Sequence, residues 1–160
     1  SSAASDVYKR QTMGATYPDY FAALIPIAAP LTVDQSGIDK LKNQPMWLIH
    51  TKADATVQPE NSVLPLYKSL ITSGATNKWF SYFETATGTD LPGTEYDGHW
   101  AWIYFFHDQV IGVQHPENTK NWDGYSGMVA TDPTNGGGSR ASVNGQTYNS
   151  IFDWMSAQRH

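Results

Sequence analysis

A helical pattern enclosed between two short apolar runs is the feature that most limits how this chain can fold. The runs are residues 46–50 (MWLIH) and 78–83 (KWFSYF), which predict strands buried on both faces. The helix between them is predicted by apolar residues at i, i+3, i+4, i+7 and i+8, with a glycine placed to cap its end: Val63, Leu66, Tyr67, Leu70, Ile71 and Gly74. Strand, helix and strand predict a parallel crossover and therefore an α/β fold.

Further elements extend this fold. Residues 21–29 (FAALIPIAA) predict a third strand, which Pro26 interrupts, so we expect a three-stranded parallel sheet with flanking helices. An aromatic segment at 100–106 predicts a helix with Trp100, Ile103 and Tyr104 as its core stripe. A last helix is predicted by its apolar residues and by a capping pair: Tyr148, Ile151, Phe152 and Met155, with Ser150 and Asp153.

Two stretches carry no such periodicity. Residues 108–146 are polar and Gly-rich, which predicts a long surface loop, with Asn144-Gly145 as a hairpin turn near its end. Residues 1–11 predict an unstructured or artefactual leader, because DVYKRQ is typical of translated adaptor sequence in assembled environmental (metagenomic) data. Thr12 is then the first natural residue, and a single domain is expected over 12–160.

Composition excludes several classes of function. The chain has 160 residues, enough for one domain, and its net charge of −5 lacks the basic surface that nucleic-acid binding needs. Without cysteine there are no disulfides, zinc-thiolate sites or cysteine nucleophiles. No apolar run approaches the roughly 20 residues that span a bilayer, so we expect no membrane partner.

Asp54 and His99 are the candidate catalytic residues. Asp54 follows the strand at 46–50, and His99 comes after the strand at 78–83. Open α/β sheets place their chemistry at such strand ends, and an acid and a base need a shared site rather than adjacency in sequence. The spacing also fits a capping aspartate and an exposed histidine, so by itself it leaves both interpretations open.

Three segments resemble the C-terminal half of an α/β-hydrolase of the esterase and polyester (polyhydroxyalkanoate) depolymerase-like group. They are YPDYFAALIPIAAP, PMWLIHTKADATVQPENSVLPLYKSLITSGATN and YDGHWAWIYFF, and the similarity covers about 12–106 and the final IFDWMSAQ. It implies a truncated fold, a serine hydrolase that cleaves carboxylic esters, and Asp54 and His99 as the acid and base of its triad. No cofactor is implied, and secretion fits the group.

The nucleophile of that group does not appear in this sequence. A G-x-S-x-G elbow is expected about one helix before YPDYF, which corresponds to residues 1–5, where no glycine flanks a serine. Gly124-Tyr-Ser-Gly has the wrong spacing. Ser139 lies in a G-x-S-x-A pattern, but without a preceding strand, so we interpret it as a linker residue. Weak or absent activity of the isolated chain is therefore expected.

Other candidate residues have simpler explanations. His99, His107, His115, Asp97 and Asp108 lack the spacing of a metal site, so no metal is predicted. Trp100 and Trp102 are candidate substrate-binding residues, as an aromatic platform for an apolar or aromatic acyl group, although Trp100 also fits the helix core. Glu95 and Asp97 flank His99 and are candidates to modulate it or to replace Asp54 as its acid partner, although as loop carboxylates they need no functional role. His50 is interpreted as a satisfied polar residue at a strand end.

Three functional classes follow. The first is an ester or polyester hydrolase, the second a non-catalytic α/β-hydrolase remnant that binds hydrophobic surfaces, and the third a metal-dependent hydrolase. In the truncated fold that the resemblance implies, the strand that would neighbour residues 21–29 is absent. The apolar edge left uncovered predicts a homo-oligomer.

Overall fold

The computed structural model describes residues 16–17, 20–30, 32–87, 91–119, 127–131 and 135–158. The predicted leader at 1–11 lies outside these residues. The central element is a two-stranded parallel sheet of β1 (Met46–Thr51) and β2 (Lys78–Phe83). Its register runs from Met46 opposite Lys78 to Thr51 opposite Phe83. The predicted parallel strand–helix–strand unit, and with it the α/β class, is thus confirmed.

Four α-helices lie entirely within the described residues: α1 (Gln35–Leu41), α2 (Val63–Thr72), α3 (Trp102–Phe106) and α4 (Ile151–Ser156). Two short antiparallel pairs accompany them: β3 (Ala86–Thr87) with β4 (Glu95–Tyr96), and β5 (Ser142–Val143) with β6 (Gln146–Thr147). Short 3-10 helices span Pro59–Asn61, Gly98–Trp100 and Pro116–Thr119. None of the described helices has both the length and the apolar character needed to cross a bilayer.

The prediction of a third strand at 21–29 is not confirmed. This segment forms two isolated parallel bridges to β1, Leu24 to Met46 and Ile27 to Ile49, so the parallel sheet has two strands. Pro26 has no N–H to donate, although its carbonyl accepts from Ile49 N at 2.9 Å. Ala28 has φ 48°, which takes the backbone out of the extended conformation.

Helix α2 ends as predicted. Gly74 has φ +78°, its N–H donates to Ile71 O, and the N–H of Ala75 donates to Leu70 O, both at 3.0 Å. These two bonds form a Schellman motif, which satisfies carbonyls at the helix end.

Helix α1 was not predicted, although its signals are visible in the sequence. Asp34 caps it by accepting from Gly37 N at 2.8 Å, and Ile38 and Leu41 share its buried face.

The sheet separates two apolar clusters. Alternate residues of β1 point to opposite faces, so Met46 and Leu48 pack with α1 and α2, whereas Trp47 and Ile49 pack with α3 and α4. The indoles of Trp47 and Trp154 meet edge to face at 5.5 Å. In α4 the predicted Ile151 is buried, but the second buried residue is Trp154 rather than the predicted Met155, which is 38% exposed.

The segment at 108–146 is not only a surface loop. Its backbone bonds to the outer edge of β2: Gln114 N donates to Phe80 O at 2.7 Å, Tyr82 N to Gly136 O at 2.6 Å, and Glu84 N to Thr131 O at 2.8 Å. A Cβ on Gly137 would lie 2.1 Å from the carbonyl carbon of Val113, so this close approach requires glycine. The Asn144-Gly145 turn joins β5 to β6 with φ 52° and 82°, which confirms the predicted hairpin.

Candidate active site

Asp54 and His99 lie in contact at the carboxyl end of the sheet. Asp54 follows β1, and His99 lies in the 3-10 helix Gly98–Trp100. Nδ1 of His99 is 3.0 Å from Oδ2 of Asp54, within the hydrogen-bond range that we expect for an acid and base of one site. The structure therefore brings together the two residues singled out from the sequence; their roles in catalysis stay predictions.

The carboxylate of Asp54 is buried and has four nitrogen atoms within 3.3 Å. Oδ1 accepts from the backbone N–H groups of Thr56 at 2.9 Å and Val57 at 2.7 Å. Oδ2 lies 3.0 Å from His99 Nδ1 and 3.3 Å from His50 Nε2. Burial raises the pKa of Asp54, but the hydrogen bonds from His50, Val57 N–H and His99 outweigh it, so the pKa lies below its ordinary value. The side chain is therefore a carboxylate at neutral pH.

Three contacts bring His99 to this carboxylate. A Cβ on Gly98 would lie 2.3 Å from the carbonyl carbon of Ala53, so only glycine lets the two backbones approach this closely. The buried hydroxyl of Thr51 donates to Gly98 O at 2.6 Å. Asp97 caps the 3-10 helix by accepting from His99 N at 2.9 Å. This aspartate therefore contacts the backbone of His99 and positions it, which is not the contact expected of a substitute acid.

The loop between β2 and His99 is anchored by Tyr104 of α3. Its hydroxyl donates to Thr85 O at 2.6 Å and accepts from Thr87 N at 2.8 Å. Its ring stacks on Phe83 with centroids 4.1 Å apart. Tyr104 thus belongs to the core stripe as predicted, whereas Trp100 is 43% exposed and does not.

Aromatic rings continue from His99 toward solvent. Trp102 meets the imidazole edge to face at 5.7 Å, and Trp100 stacks against Trp102 at 6.0 Å. Tyr96 extends this row, with its ring 5.8 Å from that of Trp100. The sequence predicts a role for the two tryptophans but not for Tyr96, whose available signal is its position three residues before His99.

His50 makes a contact with the candidate site that its position at a strand end does not predict. It is fully buried in β1, and its Nε2 lies 2.8 Å from Val57 O as well as 3.3 Å from Asp54 Oδ2. Its Nδ1 has no hydrogen-bond partner in the described residues, so the ring is not a fully satisfied polar group. The available signal was a histidine on the buried strand four residues before Asp54.

The other candidates do not join this site in the described residues. No group of three or more His, Asp or Glu side chains there is arranged to hold a metal ion. Ser139 pairs its backbone with Val113, which lies in the segment that covers β2. Residues 1–5 and Ser126 lie outside the described part.

Comparison with known proteins supports the fold. No protein-family model and no curated protein sequence matches this chain. Among solved structures, the crystal structure of a thermostable esterase is similar, with 28% identity and a TM-score of 0.53 over 65% of this chain. The chain spans about a quarter (26%) of the length of that esterase. Fold and comparison together define an esterase-like α/β architecture.

Proposed function

We propose that this chain carries the acid and base of a serine-type carboxylic-ester hydrolase. The observation that carries the proposal is the 3.0 Å contact between His99 Nδ1 and Asp54 Oδ2, on a fold similar to that of an esterase. With Nδ1 turned to the carboxylate, Nε2 is the nitrogen left for a reacting group. No described residue is a hydrogen-bond partner of Nε2, and the side chain is 16% exposed.

In this reaction the oxygen of a hydroxyl nucleophile attacks the ester carbonyl. Nε2 of His99 accepts the proton of that hydroxyl at the same time. The imidazolium then returns that proton to the departing alkoxide, and a water molecule repeats the sequence to release the acid. Asp54 fixes the tautomer of His99 and stabilises the imidazolium. Its lowered pKa keeps the negative charge in place at neutral pH.

The nucleophile limits the activity proposed for this chain alone. The sequence holds no G-x-S-x-G elbow, so His99 would act on water. A general base contributes about 10² to 10⁴-fold, whereas a single oxyanion-hole donor is worth about 10² to 10³-fold and the covalent route is lost as well. We therefore expect ester hydrolysis by the isolated chain to be weak or undetectable.

Trp100 and Trp102 are the proposed substrate-binding residues. Their stacked rings lie beside His99 and suit an apolar or aromatic acyl group, as in a polyester. The exposed carboxylates of Glu95 and Asp97 flank this row and disfavour anionic substrates. A neutral ester fits this surface best.

The experiment compares four forms of the chain on a p-nitrophenyl ester and on a polyester film. We expect any hydrolysis to fall on His99→Ala and on Asp54→Asn, and to be unchanged by the control variant Ser139→Ala, at a half-buried serine outside the site. No serine should be labelled stoichiometrically by a serine-directed phosphonate. A stoichiometric adduct with loss of hydrolysis would show instead that the chain holds a complete enzyme, and residual hydrolysis unaffected by His99→Ala would refute the proposed base.

Exposed aromatic side chains favour a second candidate function. Phe106 is 73% exposed and Trp100 43%, so the chain could bind hydrophobic polymer surfaces without cleaving them. Adsorption to a polyester film that Trp100→Ala weakens, with no soluble product released, would support this non-catalytic function over the first.

A further inference from the structure

His50 approaches the same carboxylate oxygen of the candidate acid Asp54 as His99 does. Its Nε2 is 3.3 Å from Asp54 Oδ2 and 2.8 Å from Val57 O. Oδ2 of Asp54 therefore contacts two imidazoles that differ in exposure: the side chain of His99 is 16% exposed and that of His50 is 1% exposed.

The hydrogen bonds define the tautomer of His50. A backbone carbonyl only accepts, so Nε2 must carry the proton that points to Val57 O. Nδ1 is buried and has no partner among the described residues, so a proton there would lack an acceptor. The geometry thus fits a neutral ring with its proton on Nε2, shared between Val57 O and Asp54 Oδ2.

We propose that His50 is a positioning residue, whose Nε2–H holds Asp54 Oδ2 where that oxygen accepts from His99 Nδ1. Backbone N–H groups of Thr56 and Val57 hold Oδ1, and His50 holds Oδ2, so both oxygens are oriented before His99 is engaged. Because His50 donates as a neutral ring, it leaves the full charge of Asp54 to stabilise an imidazolium on His99. This inference rests on the proposed function of the Asp54–His99 pair.

The competing explanation is purely structural. His50 also closes the turn from residue 50 to 57 through Val57 O, and a role limited to that turn would affect stability alone. The Nδ1–H proton of His99 distinguishes the two explanations, because its chemical shift and its exchange with water report directly on the hydrogen bond from His99 to Asp54.

The test is NMR of the full chain with ¹⁵N-labelled histidine, following the chemical shift of His99 Nδ1–H and its exchange with water. His50→Gln keeps an N–H donor at similar reach, whereas His50→Leu keeps a similar volume without a donor. We expect His50→Gln to resemble wild type. His50→Leu should shift the signal upfield and speed its exchange about tenfold, the factor that one hydrogen bond of ordinary strength supplies.

Several results would overturn the inference. One is an unchanged His99 signal in a destabilised His50→Leu chain, and another is a folded His50→Gln chain that behaves like His50→Leu. Should His50→Leu fail to fold, the wild-type ring ¹⁵N shifts still decide, because a neutral His50 ring with its proton on Nδ1 has no proton on Nε2 and contradicts the proposed donor. None of these measurements needs ester hydrolysis. A wild-type chain without the His99 Nδ1–H signal would count against the proposed acid–base pair itself. A lack of hydrolytic activity alone would not count against the positioning role of His50.

Discussion

At the scale of single residues, Gly98 decides whether His99 can reach Asp54. We predict that Gly98→Ala separates the pair, because the added Cβ would lie 2.3 Å from the carbonyl oxygen of Ala53 and 2.7 Å from Asp54 N. The cost should be about 1 to 3 kcal/mol of unfolding free energy, as for overpacking elsewhere. Urea denaturation and the His99 Nδ1–H signal measure the two effects.

Gly138→Ala is the matched control for this prediction, since nothing lies within 4 Å of its added Cβ and its φ is not in the left-handed region. It should leave both stability and the His99 signal near wild type. Equal behaviour of the two variants would mean that the approach of Gly98 to Ala53 does not position His99.

The lowered pKa of Asp54 makes stability depend on pH. Burial opposes ionisation, but the hydrogen bonds from His50, Val57 N–H and His99 outweigh it, so the folded chain binds this proton less readily than the unfolded chain. The contribution of Asp54 is fully present above its ordinary pKa of 3.8 and is lost as the pH falls through the lowered value.

We therefore predict that the wild-type stability advantage over Asp54→Asn shrinks below about pH 4. Urea denaturation of both chains from pH 7 to pH 3 measures it. An advantage that grew as the pH fell would show that the pKa of Asp54 is raised, contrary to its hydrogen bonding.

At the scale of elements, α4 depends on its N-terminal cap to place Trp154 against Trp47. The hydroxyl of Ser150 accepts from Asp153 N at 3.4 Å. We predict that Ser150→Ala costs about 1 kcal/mol, while Ser150→Asn, which retains a capping oxygen, costs much less. Thermal or urea denaturation of both variants is the measurement, and equal losses would show that the cap contributes nothing.

At the scale of the whole molecule, the outer edge of segment 21–29 predicts self-association. No described residue accepts a hydrogen bond from Ile25 N or Ile27 N, and both side chains are only partly buried. An unpaired apolar edge favours pairing with another chain. We expect light scattering at micromolar concentration to give a mass that is a multiple of 17.7 kDa. A monodisperse particle of 17.7 kDa with a cooperative melt would contradict this prediction.

The sequence by itself determined the elements whose signals are local. The period of α2, its end at Gly74 and the Asn144-Gly145 turn follow from side-chain spacing and from backbone conformations that few residues adopt. Asp54 and His99 were identified from their positions after strands together with the family resemblance.

Only the tertiary structure decided what depends on partners distant along the chain. Pro26 and Ala28 reduce the predicted third strand to two bridges, and Gln114 and Thr131 pair with β2 from a segment expected to be surface loop. Trp100 lies in the 3-10 helix before α3 and faces solvent, whereas Tyr104 of α3 packs on Phe83. His50 contacts Asp54 because the turn after β1 folds back to place Val57 O and Asp54 Oδ2 at one nitrogen, and the four-residue spacing of the pair does not by itself specify that turn.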